Sequence, residues 1–147
     1  MIAVVQRVSE ANVKVNDSVI GKIDHGLVIL LGIKKGDLEN DVEFLAQKIS
    51  TLRIFNDDND KMNLSITDIG GSALVISQFT LCADTKKGRR PSFVHAEAPD
   101  LSNKLYERFK TSLTEYGVSV QSGEFGAMMD VDLINNGPVT FILDSRE

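Results

Sequence analysis

Gly26-Leu27-Val28-Ile29-Leu30-Leu31-Gly32-Ile33 is an unbroken apolar run bounded by glycines, and it reads as a central strand. Upstream, Ile2 to Val15 interleaves Val4, Val8, Ala11, Val13 and Val15 with polar residues, the pattern of one long strand or two. Asn16-Asp17 is a turn signal, after which Val19-Ile20-Gly21-Lys22-Ile23 can return as a hairpin partner. Downstream, Ala73-Leu74-Val75-Ile76 opens a second buried run, read as a strand over Ser72 to Leu81.

Between these strands Asp37 is the expected N-cap of a helix carrying Val42, Leu45, Ala46 and Ile49 at helical spacing and ending near Ser50 to Leu52. Arg53-Ile54-Phe55 reads as a short strand before the acidic loop Asn56 to Lys61. A second helix starts after Pro99-Asp100, with Leu101, Leu105, Phe109 and Leu113 every four residues and Gly117 at a C-terminal cap. Val118-Ser119-Val120, Met128 to Ile134 and Val139 to Leu143 complete the strands. Two helices among seven or eight strands predict an α+β fold with a mostly antiparallel, barrel-like sheet, in a single domain over residues 1–147.

The 42% hydrophobic and 25% charged content is that of an ordinary globular chain, with no repeat, linker or low-complexity tract. No apolar run reaches the roughly 18 residues of a membrane span. The amino terminus has no secretory pattern, and a single cysteine, Cys82, excludes an internal disulfide, so the expected location is cytoplasmic. A net charge of −5 argues against coating nucleic acid by bulk electrostatics. It leaves room for a local basic patch, and Lys86-Lys87-Gly88-Arg89-Arg90 puts four cations in five residues. On charge alone that segment reads as a solvated loop.

The usual chemistry is missing. An EF-hand count from Asn56 places Asp58 and Asp60 correctly but puts Lys61 where glycine belongs and Thr67 where glutamate belongs. The acidic loop therefore reads as a solvated turn. His25 and His95 are the only histidines, no G-x-S-x-G elbow occurs, and no His/Cys cluster has zinc spacing. Cys82 between Leu81 and Ala83 reads as a small hydrophobe. No cofactor or metal is expected.

What remains is hydroxyls, one amide side chain and main chain. Ser77, Gln78 and Thr80 follow an apolar strand, where polar groups need partners or a site. Asn135-Asn136-Gly137-Pro138 precedes the β-rich Val139 to Leu143; alone it reads as a turn, with a proline that cannot donate to a ladder.

Taken together, Ser77-Gln78-Phe79-Thr80-Leu81 and Asn135-Asn136-Gly137-Pro138-Val139-Thr140 resemble the signature pair of the D-aminoacyl-tRNA deacylases. The similarity extends through Ile2 to Val8, Gly26 to Gly32, Leu52-Arg53-Ile54-Phe55, Lys61-Met62-Asn63, Lys86 to Phe93 and Phe125-Gly126-Ala127-Met128-Met129, in family order. The resemblance implies a homodimer with active sites at the subunit interface. There Ser77, Gln78, Phe79 and Thr80 of one chain would hold the ester and meet a cis Gly137-Pro138 filter from the other. It also assigns Met129 and Asn135 to substrate binding. Arg7, on an otherwise apolar strand, is the expected anchor of the filter carbonyls, with a solvent-directed arginine as the alternative. The partner is then an aminoacylated tRNA, held by its 3′-terminal adenosine, with Lys86, Lys87, Arg89 and Arg90 meeting the tail.

D- and L-aminoacyl esters differ only in the direction in which the side chain leaves the α-carbon. A filter must fix ammonium, carbonyl and ester oxygen and then block one direction, for which main chain is suited because it cannot swing away. Exclusion rejects only groups larger than hydrogen, so glycyl esters are expected to pass. Backbone N–H groups near Phe79 and Thr80 are the candidate oxyanion donors, and the resemblance adds the terminal 2′-hydroxyl as an aid to water. Thr80 as a covalent nucleophile is the alternative, weakened by the lack of an activating base. A non-catalytic tRNA-binding module and an esterase for free D-amino acid esters are the rival functions.

Overall fold

The computed structural model describes residues 1–147. In chain order the elements are β1 (Ile2–Val15), β2 (Ser18–Ile23), β3 (Gly26–Gly32), α1 (Glu39–Thr51), β4 (Phe55–Asn56), β5 (Met62–Leu64) and β6 (Ser72–Ser77). A 3₁₀ turn (Phe79–Cys82), α2 (Pro99–Glu115), β7 (Ser119–Ser122) and β8 (Asp130–Asp144) follow.

β1 organises the sheet. Along one edge it pairs antiparallel with β3 through Ile2 to Val8 and with β2 through Ala11 to Val15. Along the other it pairs with β8, from Ile2 opposite Asp144 to Lys14 opposite Asp130. The β1–β2 turn holds Asn16 at φ 49° and Asp17 at φ 64°, the left-handed angles that a two-residue hairpin of matching twist requires. β3, β6 and β7 are parallel neighbours, joined by connections that carry α1 and α2. The sheet is therefore mostly antiparallel with a parallel flank. It also curls until β2 meets β7: a Cβ placed on Gly21 would lie 2.9 Å from the Ser122 carbonyl oxygen. That close approach nearly closes the barrel, and glycine permits it.

Both sheet faces are covered, which explains the unbroken apolar run of β3. On one face Ala3, Val5, Leu27, Ile29, Ala73 and Val75 pack against Leu45 and Ile49 of α1 and Leu105, Phe109 and Leu113 of α2. On the other, Val8, Val13, Ile23, Val28, Leu74 and Ile76 fill the barrel interior. Each of the valines, leucines, isoleucines and phenylalanines among them contributes about 1.5–3 kcal/mol by leaving water. No helix is long and apolar enough to cross a membrane.

Several sequence expectations are corrected. Asp37 is not the N-cap of α1; Leu38 holds that position, and its N–H donates to the Asp41 carboxylate at 2.8 Å. Asp37 is buried and accepts from the Met1 ammonium at 2.7 Å, the Lys34 N–H at 2.6 Å and Arg146 at 2.7 Å. A carboxylate with three donors is more useful in the interior than at a cap. Leu101 is exposed, because the first turn of α2 projects beyond the core. Arg53-Ile54-Phe55 contributes only Phe55 to a strand, β4, which runs on to Asn56. β6 stops at Ser77 rather than Leu81. The segments Met128 to Ile134 and Val139 to Leu143 belong to one strand, β8, beginning at Asp130, and Asn135 to Pro138 lies within it rather than in a turn.

Candidate active site

At the carboxyl end of β6 the chain leaves the sheet. The Gln78 N–H still donates to Leu31 O at 2.8 Å, after which Phe79 to Cys82 forms a single 3₁₀ turn closed by Leu81 N–H to Gln78 O at 3.2 Å and Ala83 N–H to Thr80 O at 3.2 Å. The first N–H groups of such a turn have no intrahelical acceptor and point away from its start. Ser77 and Gln78 are half-buried, and Phe79 and Thr80 are exposed. Ser77 and Gln78 line a cleft rather than a core, and Thr80 lies exposed outside its lining.

That cleft measures about 510 Å³. Ser77, Gln78 and Phe79 form one wall, Ala96, Glu97 and Pro99 another, and Phe125 to Met129 the third. Met129 is seated against Gly123, where a Cβ would come 2.5 Å from the Met129 sulfur. Phe125 leans on Tyr106 with ring centroids 5.8 Å apart, and the Tyr106 hydroxyl donates to Val75 O at 2.9 Å. Burial pushes that phenol up to about 12, so it is a neutral donor throughout the working range. Thr80 Oγ1 accepts from the Gln78 amide, and no imidazole or carboxylate hydrogen-bonds to it.

A second group forms around Arg7, which is only 6% exposed. Gln6 pairs with Thr140 and Val8 with Asn135, so Arg7 alone stands opposite the four residues Asn136 to Val139. The extra chain bulges from the ladder, and the Gly137-Pro138 peptide within it is cis. Arg7 Nε donates to Asn136 O at 3.1 Å, while Nη1 donates to Ile54 O at 2.9 Å and Asn56 Oδ1 at 3.0 Å. The arginine thus points inward rather than to solvent. Asn135 braces the bulge from its other end, accepting the Val139 N–H at 3.1 Å and donating to Thr140 Oγ1 at 2.9 Å. Gly137 has φ +126°, and a Cβ there would lie 2.7 Å from Val139 Cγ2 and 2.9 Å from Arg7 Nη2. Only glycine fits.

Lys86, Lys87, Arg89 and Arg90 sit on an exposed loop whose base is fastened by Asp84 and Ser92, each N–H donating to the other's carbonyl at 2.7 and 2.9 Å. Gly88 turns its tip with φ +67°. The acidic loop is a solvated turn, as expected. Backbone N–H groups of Lys61 and Asn59 bond the Asp57 carboxylate and lower its pKa. Burial pushes the Cys82 thiol up, which leaves it an inert hydrophobe.

Within one chain the structure brings Ser77, Gln78, Phe79 and Met129 to the cleft and groups Arg7, Asn135, Gly137 and Pro138 elsewhere; neither Gly137 nor Pro138 lines the cleft. Sequence reasoning missed Glu97, Ser102 and Val131 as lining residues. Phe125-Gly126-Ala127-Met128 carried a signal as a motif block, whereas Glu97 and Ser102 arrive only because α2 packs beside β6.

Comparison with known proteins identifies the family. The family model for D-Tyr-tRNA(Tyr) deacylase matches residues 4–144. A D-aminoacyl-tRNA deacylase of Desulfatibacillum aliphaticivorans is 56% identical over 146 residues, covering 99% of this chain and 100% of the relative. One from Thermosipho africanus is 52% identical over 147 residues, covering 100% and 99%. Among solved structures, a c-Myc DNA unwinding element binding protein superposes with TM-score 0.92 at 36% identity, covering 98% of each chain. A probable eukaryotic D-amino acid tRNA deacylase shares the fold at TM-score 0.81 and 18% identity, covering 97% of this chain and 98% of that one. A match that spans the sheet, both helices and both motif segments places this chain in the D-Tyr-tRNA(Tyr) deacylase family.

Proposed function

We infer that this protein hydrolyses the ester bond of D-aminoacyl-tRNA, releasing free tRNA and the D-amino acid, and spares L-aminoacyl-tRNA. The observation that carries this reading is a family match over nearly the whole chain, joined to a cleft walled by Ser77, Gln78 and Phe79 that contains no acid–base pair. An aminoacyl ester is already reactive, so positioning and oxyanion stabilisation suffice. Water oxygen bonds to the ester carbonyl carbon, and the N–H groups of Phe79 and Thr80 stabilise the negative oxygen. The bond to the ribose oxygen then breaks, and that oxygen takes a water proton. The terminal 2′-hydroxyl of the tRNA orients the water.

The selective element in this reading is Gly137-Pro138 of a second subunit, set against the Ser77–Thr80 wall. Two observations support a homodimer: the Gly137-Pro138 bulge does not line its own chain's cleft, and β8 exposes Ile134, Phe141 and Ile142, the last at 71%. Exposed apolar side chains of this size are a liability unless covered. Glycyl-tRNA passes the same filter because it has no side chain to exclude. Lys86, Lys87, Arg89 and Arg90 hold the tRNA tail by its phosphates, and the site of action is the cytoplasm, where charged tRNA is used.

Deacylation of matched D- and L-aminoacyl-tRNA, followed with light scattering of the same sample, tests all three elements. Rapid turnover of the D form by a dimer is expected. Binding without turnover would favour a tRNA-sequestering module, and undiminished hydrolysis of free D-amino acid esters would favour a small-molecule esterase.

A further inference from the structure

Phe93 has no role in the cleft, yet its ring is 40% exposed. Its ring is tilted 64° to that of Phe79 with centroids 5.0 Å apart, and Phe79, itself 56% exposed, belongs to the Ser77–Phe79 wall. The aromatic pair therefore leads from inside the cleft to the surface. Phe93 follows Ser92, which fastens the base of the Lys86–Arg90 loop to Asp84. A partly exposed aromatic ring thus stands between the cleft and a cluster of cations.

Aromatic rings alternating with cations form the usual platform for unpaired nucleotides, because every base has a face to stack and every phosphate needs a counter-charge. We propose that Phe93 stacks the unpaired base that immediately precedes the terminal adenosine of the substrate tRNA. The inference rests on the deacylase reading and extends it by one nucleotide. The ester fixed at the Ser77–Phe79 wall sets where the terminal nucleotide enters, and Phe79 hands the strand to Phe93 before it reaches the basic loop.

The test compares D-aminoacyl-tRNA with D-aminoacyl-adenosine, which lacks the preceding base. Phe93→Leu keeps apolar contact with Phe79 but removes the aromatic face. It is expected to raise KM for the tRNA about tenfold more than for the nucleoside ester, and Phe93→Trp is expected to restore the difference. In parallel, 2-aminopurine is placed at the penultimate position of an RNA minihelix bearing a non-hydrolysable D-aminoacyl amide. Its fluorescence should be quenched by the native protein and much less by Phe93→Leu. Equal KM changes on the two substrates, or quenching that survives Phe93→Leu, would overturn the inference. Failure of the deacylase reading itself would appear differently, as absence of turnover of either ester by the native protein while the quenching assay still reports on Phe93.

Discussion

Arg7 Nε donates to the carbonyl oxygen of Asn136 at 3.1 Å, tying the first strand to the bulge that carries Gly137-Pro138. The same guanidinium holds Ile54 O and Asn56 Oδ1, so its charge is met entirely by neutral acceptors. Arg7→Met leaves these acceptors without a donor, at about 1–3 kcal/mol for each one that stays buried. The folded variant is expected to lose at least ~10-fold in D-over-L selectivity, about 1.4 kcal/mol. Arg7→Lys, a point charge without the planar fork, should recover little of it. Native selectivity in a folded Arg7→Met dimer would separate the filter from this anchor.

Gly123→Ala acts from behind the cleft. Its backbone angle is ordinary, but the new methyl group would stand 2.5 Å from the Met129 sulfur and push that side chain into the cavity. The expected result is a raised KM and a stability loss of about 1–3 kcal/mol, the usual cost of overpacking. Pairing it with the smaller Met129→Val should restore stability in thermal melts; no restoration would mean the strain lies elsewhere.

Thr80→Ala distinguishes main-chain from covalent catalysis. Thr80 Oγ1 accepts from Gln78 and has no base to activate it, so substantial turnover should survive. A fall approaching the ~10⁶-fold loss seen when a true nucleophile is removed would defeat the main-chain mechanism.

If the exposed loop holds the tRNA tail as proposed, neutralising Arg89 and Arg90 together removes two phosphate contacts. KM for tRNA should rise and its dependence on log salt should flatten by roughly 1.5–2 in slope, with kcat nearly unchanged. A variant KM equal to the native value at both low and physiological salt would make the loop a bystander.

Acid should loosen the junction of β8 with β1. Burial by itself would raise the Asp144 carboxyl, but the hydrogen bonds from Lys34 and the Arg146 N–H and the Lys34 charge bring it below its ordinary value. Its folded pKa thus lies below the unfolded value of about 3.9, so its stabilisation is present above that pH and is lost as pH falls through the folded value. Asp144→Asn should be less stable than the native protein by about 1 kcal/mol at pH 7, with the gap narrowing as pH falls below about 3.9, as read by urea melts. A gap that persists at low pH would assign the effect to packing.

The apolar run Gly26 to Ile33, the hairpin signal Asn16-Asp17 and the helical spacing of Val42, Leu45 and Ile49 were legible because they depend on local backbone preference and on which faces of an element are covered. Ser77, Gln78, Phe79, Met129 and the Gly137-Pro138 pair were legible as motifs, and the structure brings the first four to one cleft. The sequence could not show that Asp37 would serve three donors instead of a helix cap, since those donors come from Met1, Lys34 and Arg146. It could not bring Glu97 and Ser102 to the cleft, because α2 reaches β6 only by packing. Nor could it show Arg7 standing alone against four residues of β8, because strand register is decided by which side chains the core accepts along the full length of both strands. Local preference is written residue by residue, whereas register and convergence are settled only when distant segments compete for the same buried surface.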